Sequence, residues 1–488
     1  MTTLLFVLGM SLGLSLSLTV AARNLGIRFG AVDRPDERKV HDHPIPRTGG
    51  LAIFASFFLA LAAISFFDTP VTSLLAMDRK FFFVVAGAVI CFAMGVVDDL
   101  IGLRAWVKLV IQIVGASAAY AGGVHIANIV LGEWSISFGI FSYFITILWF
   151  LLFMNAVNLV DGLDGLAGGI VVFASLVMIV LSVLKEDFFT AVVFTALAGS
   201  VLGFLRYNFN PASVFMGDGG SYFLGYVIAA MGILGSVKSQ VAPAMMIPVL
   251  ALGVPIFDTL LSPVRRFMRG RAIFSPDKSH IHHRLRSLGL STPRAVLLLY
   301  GVTVGLCLIA LLVANLRDER AGLFLVLLGV GAVFFIRKLG YFEYLGTDKF
   351  LGWLRDMTDE SGLSHQRRGF LNLQIEVAQA EGVEELWKNL IMAGEYLRLD
   401  FMELRLLREG GAEAEEANRR TYVNTGFDPG QFDCTRVLHV VLPLSTQEQK
   451  YGCLTVSKDL EKGRMGPFML RRIEQLRRST IEALKKGF

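Results

Sequence analysis

Three segments of this chain set carboxylates against long apolar runs, where a charge needs a reason. Asp98 and Asp99 close one run in GVVDDLIGL; Asn155, Asn158, Asp161 and Asp164 close another in NAVNLVDGLDGL; Asp218 sits in NFNPASVFMGDGGS just before a third. An ionised side chain at the centre of a membrane helix costs about 2.5–3.5 kcal/mol, so clusters of this kind at run ends read as a site. The alternative is that each aspartate merely marks the membrane interface. In the second segment the polar residues recur every three positions, which on a helix makes a stripe able to line a polar cleft. In the third, Gly217, Gly219 and Gly220 surround Asp218. A flexible glycine turn beside a carboxylate suits a metal-bound phosphate, although glycine turns also contain Asp simply to make the turn. Oxygen-only ligands select a hard cation, Mg2+ or Mn2+.

Two loops carry the opposite charge. RRFMRGRAIFSPDKSHIHHRLRSLG, residues 265–289, holds His280, His282 and His283 with Arg265, Arg266, Arg269 and Arg271. Guanidinium forks pair with phosphates and a histidine can share a proton, so the array suits anion binding. Zinc is the rival, but no cysteine lies nearby and the arginines would repel a cation. VDRPDERKVHDHPIPRTGGLAI adds Lys39, His41, Arg47 and the Gly49-Gly50 pair, and its prolines and glycines argue for a fixed turn. Basic loops facing the cytoplasm would account for the arginines on topological grounds alone.

These residues must be positioned by helices in a bilayer. Of 488 residues 54% are hydrophobic and 18% charged, with a mean hydropathy of +0.58, which excludes an ordinary soluble protein. About 20 apolar residues span a membrane, and candidate runs start near residues 3, 49, 80, 107, 139, 167, 188, 222, 242, 295 and 321. The expected fold is therefore an all-α polytopic membrane protein with about 11 transmembrane helices over 1–340, followed by a small α+β domain over 341–488. Arg23, Arg28, Arg34, Arg38, Lys39, Arg47, Arg104, Lys108, Arg206 and the 265–294 cluster alternate with loops holding only Arg79, Lys80, Lys185, Lys238, Arg317 and Arg320. That asymmetry expects the first set, the aspartates and the carboxyl-terminal domain on the cytoplasmic side and the amino terminus outside. The first run, with no basic residue before it, reads as a retained anchor.

The region after 341 suggests a helix near 374–396, strands near 400–407, 436–443 and 451–457, and a helix near 466–485. The order resembles a GAF-type domain; a scaffolding or oligomerisation domain is the alternative. Cys91, Cys307, Cys434 and Cys453 are far apart and suggest neither a zinc site nor a disulfide framework.

Taken in order, DDLIGL, NAVNLVDGLDGLAGG, NFNPASVFMGDGGS and SPDKSHIHHRL resemble the polyprenyl-phosphate N-acetylhexosamine-1-phosphate transferases, the WecA/TagO branch of the MraY superfamily. The resemblance covers about residues 1–315. It implies that Asp218 is the Mg2+ ligand and that Asp98 and Asp99 act at the acceptor phosphate or assist the metal. It implies that Asn208 and Phe215 hold the uracil, that Asn158, Asp161 and Asp164 line the nucleotide-sugar cleft, and that His280, His282 and His283 contact phosphates. Lys39, Arg265 and Arg266 are expected to bind substrate. Gly102 stands four places after Asp98, where some relatives have a third acid, which argues against a three-carboxylate cage.

The implied reaction is attack by the phosphate oxygen of undecaprenyl phosphate on the sugar-bearing phosphorus of a UDP-sugar, UDP-N-acetylglucosamine first among them, releasing UMP. It starts lipid-linked glycan synthesis, such as O-antigen or another cell-wall polysaccharide, at the bacterial inner membrane. Phosphoryl transfer is mostly positioning and charge neutralisation, and a single displacement is preferred to an aspartyl-phosphate intermediate. A secondary transporter would instead place acids near the bilayer midplane and carry internal repeats; Asp258 in GVPIFDTLL is the one good candidate, and no repeat is visible. No nucleic-acid partner is expected, and a homodimer and a partner for the carboxyl-terminal domain stay open.

Overall fold

The apolar runs fold as helices in the computed structural model, which describes residues 1–33, 43–64, 66–67, 79–131, 134–237, 242–268, 280–281, 285, 289–315, 365–407, 419–424, 436–446, 449–461 and 469–486. The chain divides into two compact units, Met1–Pro263 with Pro276–Ala332, and Val264–Ser275 with Val333–Phe488.

The first unit contains α1 (Thr2–Phe29), α2 (Gly49–Ile64), α3 (Arg79–Ile101), α4 (Ala105–Ala121), α5 (Ser142–Val160), α6 (Leu166–Leu184), α7 (Phe188–Asn208), α8 (Gly217–Val237), α9 (Ala242–Ala251), the start of α10 (Gly253–Met268) and α11 (Thr292–Asn315). Among the described residues six helices are long and apolar enough to cross a membrane: α1, α3, α5 with the turn before it, α6, α7 and most of α11. The chain is thus a multi-pass membrane protein. Shorter apolar helices cover Gly49–Ile64, Ala105–Ala121 and Gly253–Ser262. The apolar run from 242 is two helices rather than one span, with Leu252 between them. Pro248 lies inside α9 and Pro255 lies in the first turn of α10. The run expected from 321 lies outside the described residues.

At the centre is α8, packed against α2, α3, α5, α7 and α9. Its middle is apolar all round, as a helix surrounded by helices requires, and Phe223, Tyr226 and Ile228 are fully buried. Between apolar helices in lipid there is little hydrophobic drive to associate, so close contact comes through small residues. The α1–α7 pair shows how. Ser11, Ser15 and Thr19 of α1 are buried, and Ser15 Oγ donates to Ser200 O at 2.5 Å. Opposite them, a Cβ on Gly203 would lie 2.6 Å from Ser15 Cβ.

Two antiparallel pairs complete this unit: β1 (Val32–Asp33) with β2 (Ile45–Pro46), and β3 (Asn128–Leu131) with β4 (Trp134–Ser137). The first fixes the ends of the basic loop between α1 and α2. There Arg47 forms an ion pair with Asp33, and Arg47 N–H donates to Ala31 O at 3.0 Å.

The second unit holds α12 (His365–Ala378), α13 (Val383–Tyr396), β5 (Phe401–Leu406), β6 (Arg419–Val423), β7 (Val437–Ser445), β8 (Lys450–Asp459) and α14 (Met469–Leu484). The strands form one antiparallel sheet in the order β6-β5-β8-β7. Met402, Leu404, Leu454 and Val456 alternate onto one face and pack with Leu386, Leu390, Ile473 and Leu476 of the helices. The single helix expected over 374–396 is two, because the turn at Gly382 breaks it while the apolar pattern continues on both sides. The sequence reading also missed β6, RRTYV, an edge strand whose charged composition hides it.

Replacing Gly203 by Leu must push α1 off α7. The expected cost is about 1–3 kcal/mol, read as a lower midpoint in a fluorescence thermal melt of the purified full-length protein, whereas Gly9→Leu, with open space around it, leaves the midpoint unchanged.

Candidate active site

The polar ends of α3, α4, α5 and α8 meet at one place. Asp98 and Asp99 lie in the last turn of α3 and Asp218 in the first turn of α8. The two helices touch backbone to backbone: a Cβ on Gly95 would stand 2.5 Å from the carbonyl of Asp218 and would overlap the nitrogen of Gly219. At this crossing the Asp99 carboxylate takes Asp218 N–H on Oδ1 at 3.0 Å and Gly219 N–H on Oδ2 at 3.2 Å. These N–H groups have no partner inside α8, and a negative charge there also meets the positive end of the helix dipole. Asp99 therefore caps α8 and sets where Asp218 stands.

The remaining groups of the centre are bridged by a lysine. Lys108 Nζ donates to Asp98 Oδ2 at 2.7 Å and to Asp218 Oδ2 at 3.2 Å. The other Asp98 oxygen accepts Leu103 N–H at 2.6 Å. On the far side Asn158 Nδ2 donates to Asp218 Oδ1 at 2.9 Å and to Ser221 Oγ at 3.0 Å. One turn from Lys108, Gln112 accepts from Asn155 Nδ2 at 2.9 Å, tying α4 to α5. The sequence reading counted Lys108 only as a loop charge. The signal that could have found it is a lysine followed four residues later by a glutamine within an otherwise apolar helical run, AWVKLVIQ.

Loops hold Asp218 from behind. Phe215 N–H donates to Pro46 O at 2.7 Å, while Gly49 and Gly50 N–H donate to Phe215 O at 2.9 Å and Met216 O at 2.8 Å. A Cβ on Gly50 would stand 2.6 Å from Gly220 Cα. Gly217, at φ +75°, makes the turn into α8 in a conformation that favours glycine. The glycine pair of the first loop is thus a docking surface for the turn that carries Asp218.

The polar stripe expected over residues 155–164 is helical only through Asn158, because α5 ends at Val160 and Asp161 and Asp164 lie in the turn that follows. The glycines that follow each of those aspartates favour the break. Asp164 Oδ2 accepts from Asn210 Nδ2 at 2.9 Å and Ala212 N–H at 3.0 Å. Asn208, buried, accepts Gly165 N–H at 3.0 Å and donates to Val214 O at 2.9 Å. These two side chains stitch the 161–165 turn to the 209–217 loop. Asp161, in contrast, has no hydrogen-bond partner among the described residues. Burial, and then the charges of Asp218, Asp99 and Asp164, push its carboxyl well above the usual carboxylate range.

His280 stands apart from this cluster, with Nδ1 3.2 Å from Asp258 Oδ2, which also accepts Ile281 N–H at 3.2 Å. Lys39, His282 and His283 and the side chains of Arg265 and Arg266 lie outside the described residues.

Among the described residues no three carboxylate, histidine or cysteine groups converge as a ready metal cage. The donors nonetheless fit Mg2+, which takes one or two protein carboxylates and completes its shell with water and substrate phosphates. The fit shows in Asp161, whose carboxyl has no partner among the described residues and is raised by burial and then by acidic neighbours whose charge a cation would offset.

Comparisons with known proteins give the family. Residues 81–236 match the family described as Glycosyl transferase family 4. The chain is 35% identical over 293 residues to the Bacillus subtilis (strain 168) protein named "Probable undecaprenyl-phosphate N-acetylglucosaminyl 1-phosphate transferase", covering 58% of this chain and 78% of that protein. It is 37% identical over 315 residues to "Decaprenyl-phosphate N-acetylglucosaminephosphotransferase" of Mycolicibacterium smegmatis, covering 57% and 74%. It is 28% identical over 293 residues to "Undecaprenyl-phosphate alpha-N-acetylglucosaminyl 1-phosphate transferase" of Escherichia coli (strain K12), covering 57% and 75%. A membrane helix bundle with an acidic centre and these matches define the class: the chain belongs to glycosyl transferase family 4, within its polyprenyl-phosphate N-acetylhexosamine-1-phosphate transferases.

Asp99→Ala leaves two N–H groups at the start of α8 without an acceptor, at about 1–3 kcal/mol, and frees Asp218 to shift. A lower thermal midpoint together with lost turnover is expected, while Asp99→Asn, which keeps an acceptor oxygen, recovers most of the midpoint.

Proposed function

We propose that the chain transfers N-acetylglucosamine 1-phosphate from UDP-N-acetylglucosamine to undecaprenyl phosphate, releasing UMP and starting a lipid-linked glycan. The observation that carries this reading is Lys108 held between Asp98 and Asp218 at the ends of apolar helices. An ammonium and carboxylates at a membrane boundary suit a reaction in which a lipid phosphate and a soluble diphosphate must meet.

The lipid phosphate, with a second pKa near 6, is largely ionised at pH 7 and needs little base assistance. What it needs is a partner charge and a fixed line of approach. Lys108 supplies the first, neutralising phosphate oxygens as the new bond forms. Asp98, with one oxygen on Lys108 and the other on Leu103 N–H, orients that ammonium. A carboxylate engaged on both oxygens is a poor nucleophile, which supports direct attack by the lipid phosphate over an aspartyl-phosphate route. Asn158 keeps Asp218 turned toward the centre. Asp218, with Asp161 beside it, would hold Mg2+, which when bound supplies Lewis-acid neutralisation of the diphosphate. Asn208 and Asp164 act on the nucleotide indirectly in this reading, by fixing the 209–217 loop on which Phe215 stands.

The finer topology belongs to the same reading. Eleven spans, the aspartates and the second unit on the cytoplasmic side of the bacterial inner membrane, and a GAF-like carboxyl-terminal domain are supported by the lysine and arginine asymmetry of the loops and by the helix–sheet–helix order.

The test uses the full-length protein in detergent with radiolabelled UDP-N-acetylglucosamine, undecaprenyl phosphate and Mg2+. Labelled lipid and UMP are expected, both lost with EDTA and restored by Mg2+. Asp218→Asn and Lys108→Met should each lower turnover by about 10²–10³-fold while the thermal midpoint shows them folded. No labelled lipid from the wild type, or full turnover by Asp218→Asn, overturns the reading.

A further inference from the structure

The aspartates occupy one end of the helices, and a cavity that the reaction does not use occupies the other. Where α2, α3, α7 and α8 meet near Lys80 and Asp187, a half-open cavity of about 260 Å³ is lined mostly by apolar side chains that include Phe58, Val85, Val193 and Met231. At about 30 Å³ per water-sized group it has room for roughly nine, a stretch of hydrocarbon chain, and a lining of this kind gives water too few partners to stay.

Charge is confined to one edge of the cavity, where Lys80 and Asp187 stand. Asp187 accepts a hydrogen bond from Thr190 Oγ1 at 2.6 Å. The Lys80 ammonium is exposed and has no ion-pair or hydrogen-bond partner among the described residues. Beside it Arg79 lies over the Phe83 ring at 5.8 Å, and Phe82 and Phe188, which begin α3 and α7, are exposed. Aromatic rings with lysine and arginine at helix ends are the usual furniture of a membrane–water interface, where lipid phosphates lie. A cation with no partner among the described residues, at the mouth of an apolar cavity, is complementary to an anion carried on an apolar chain.

We propose that this cavity holds an acyl chain of a membrane phospholipid whose phosphate is bound by Lys80. The acceptor lipid cannot place its phosphate on Lys80 while it reacts, an exclusion that rests on the reaction proposed above. Lys80 and Asp98 are eighteen residues apart on α3, about 27 Å at ~1.5 Å per residue, so a phosphate reacting beside Asp98 is out of reach of Lys80. The occupant brings its own phosphate, from the leaflet opposite the aspartates. Seated between α3 and α8, it supports the far ends of the two helices whose near ends carry Asp98, Asp99 and Asp218.

Native mass spectrometry of the full-length protein in detergent tests this, with dioleoylphosphatidylglycerol and undecaprenyl phosphate titrated separately. The wild type is expected to retain one phosphatidylglycerol at low lipid excess and to gain thermal stability from it. Lys80→Glu should weaken that binding at least about fivefold, and Val85→Trp, which fills the space, should remove both the bound lipid and the thermal gain. Both variants should keep transferase turnover, which separates this proposal from the reading of the aspartate end. Equal phospholipid retention by the wild type and both variants overturns it. So does an undecaprenyl phosphate adduct, in place of phospholipid, that Lys80→Glu removes.

Discussion

The two hydrogen bonds from the first turn of α8 to Asp99 are the interaction on which this site depends. Helix starts expose N–H groups that must find acceptors, and at a membrane boundary water cannot be relied upon to supply them. Asp99 provides them from the end of α3, and glycines at 95 and 219 let the two backbones come close enough for it to reach. One carboxylate thus fixes the relation between two helices, and two other carboxylates, Asp98 and Asp218, are brought to either side of Lys108 as a result.

Around this crossing the protein uses polar groups to hold polar groups. The Gly49-Gly50 loop, the 161–165 turn and the 209–217 loop are joined by backbone bonds, by Asn208, which meets both the turn and the loop, and by Asp164, which reaches from the turn to the loop. Such residues resemble substrate contacts in a sequence because they are polar, clustered and near the chemistry. Their hydrogen bonds also keep the loops in register. Asp161 is the exception: it sits within the same turn, but its carboxyl has no partner among the described residues.

The helices that carry these loops associate through small residues, as in the Ser11–Gly199 and Ser15–Gly203 contacts of α1 and α7, and through a central helix whose middle is apolar on every side. The second unit is built by other rules. Its strands alternate, and its core is made of aliphatic side chains gathered between one sheet face and three helices, as in a water-soluble fold.

By itself the sequence determined the class. Apolar runs of spanning length, aspartates at their ends and four ordered motifs were enough to mark a membrane transferase, because hydropathy and motif spacing are properties of the chain alone. It also located most elements of the carboxyl-terminal unit, missing β6, whose charges obscure the strand pattern, and the break at Gly382, across which the apolar period continues. Only the tertiary structure decided which aspartate does what. Asp98, Asp99 and Asp218 are the same side chain, and the contacts that join Asp218 to Lys108 and to Asp99, 110 and 119 positions away, make one a helix cap and two the partners of a lysine. For Lys108 the AWVKLVIQ pattern marks a polar position in an apolar helix, but its role lies in what it touches, and only the fold brings Asp218 to it.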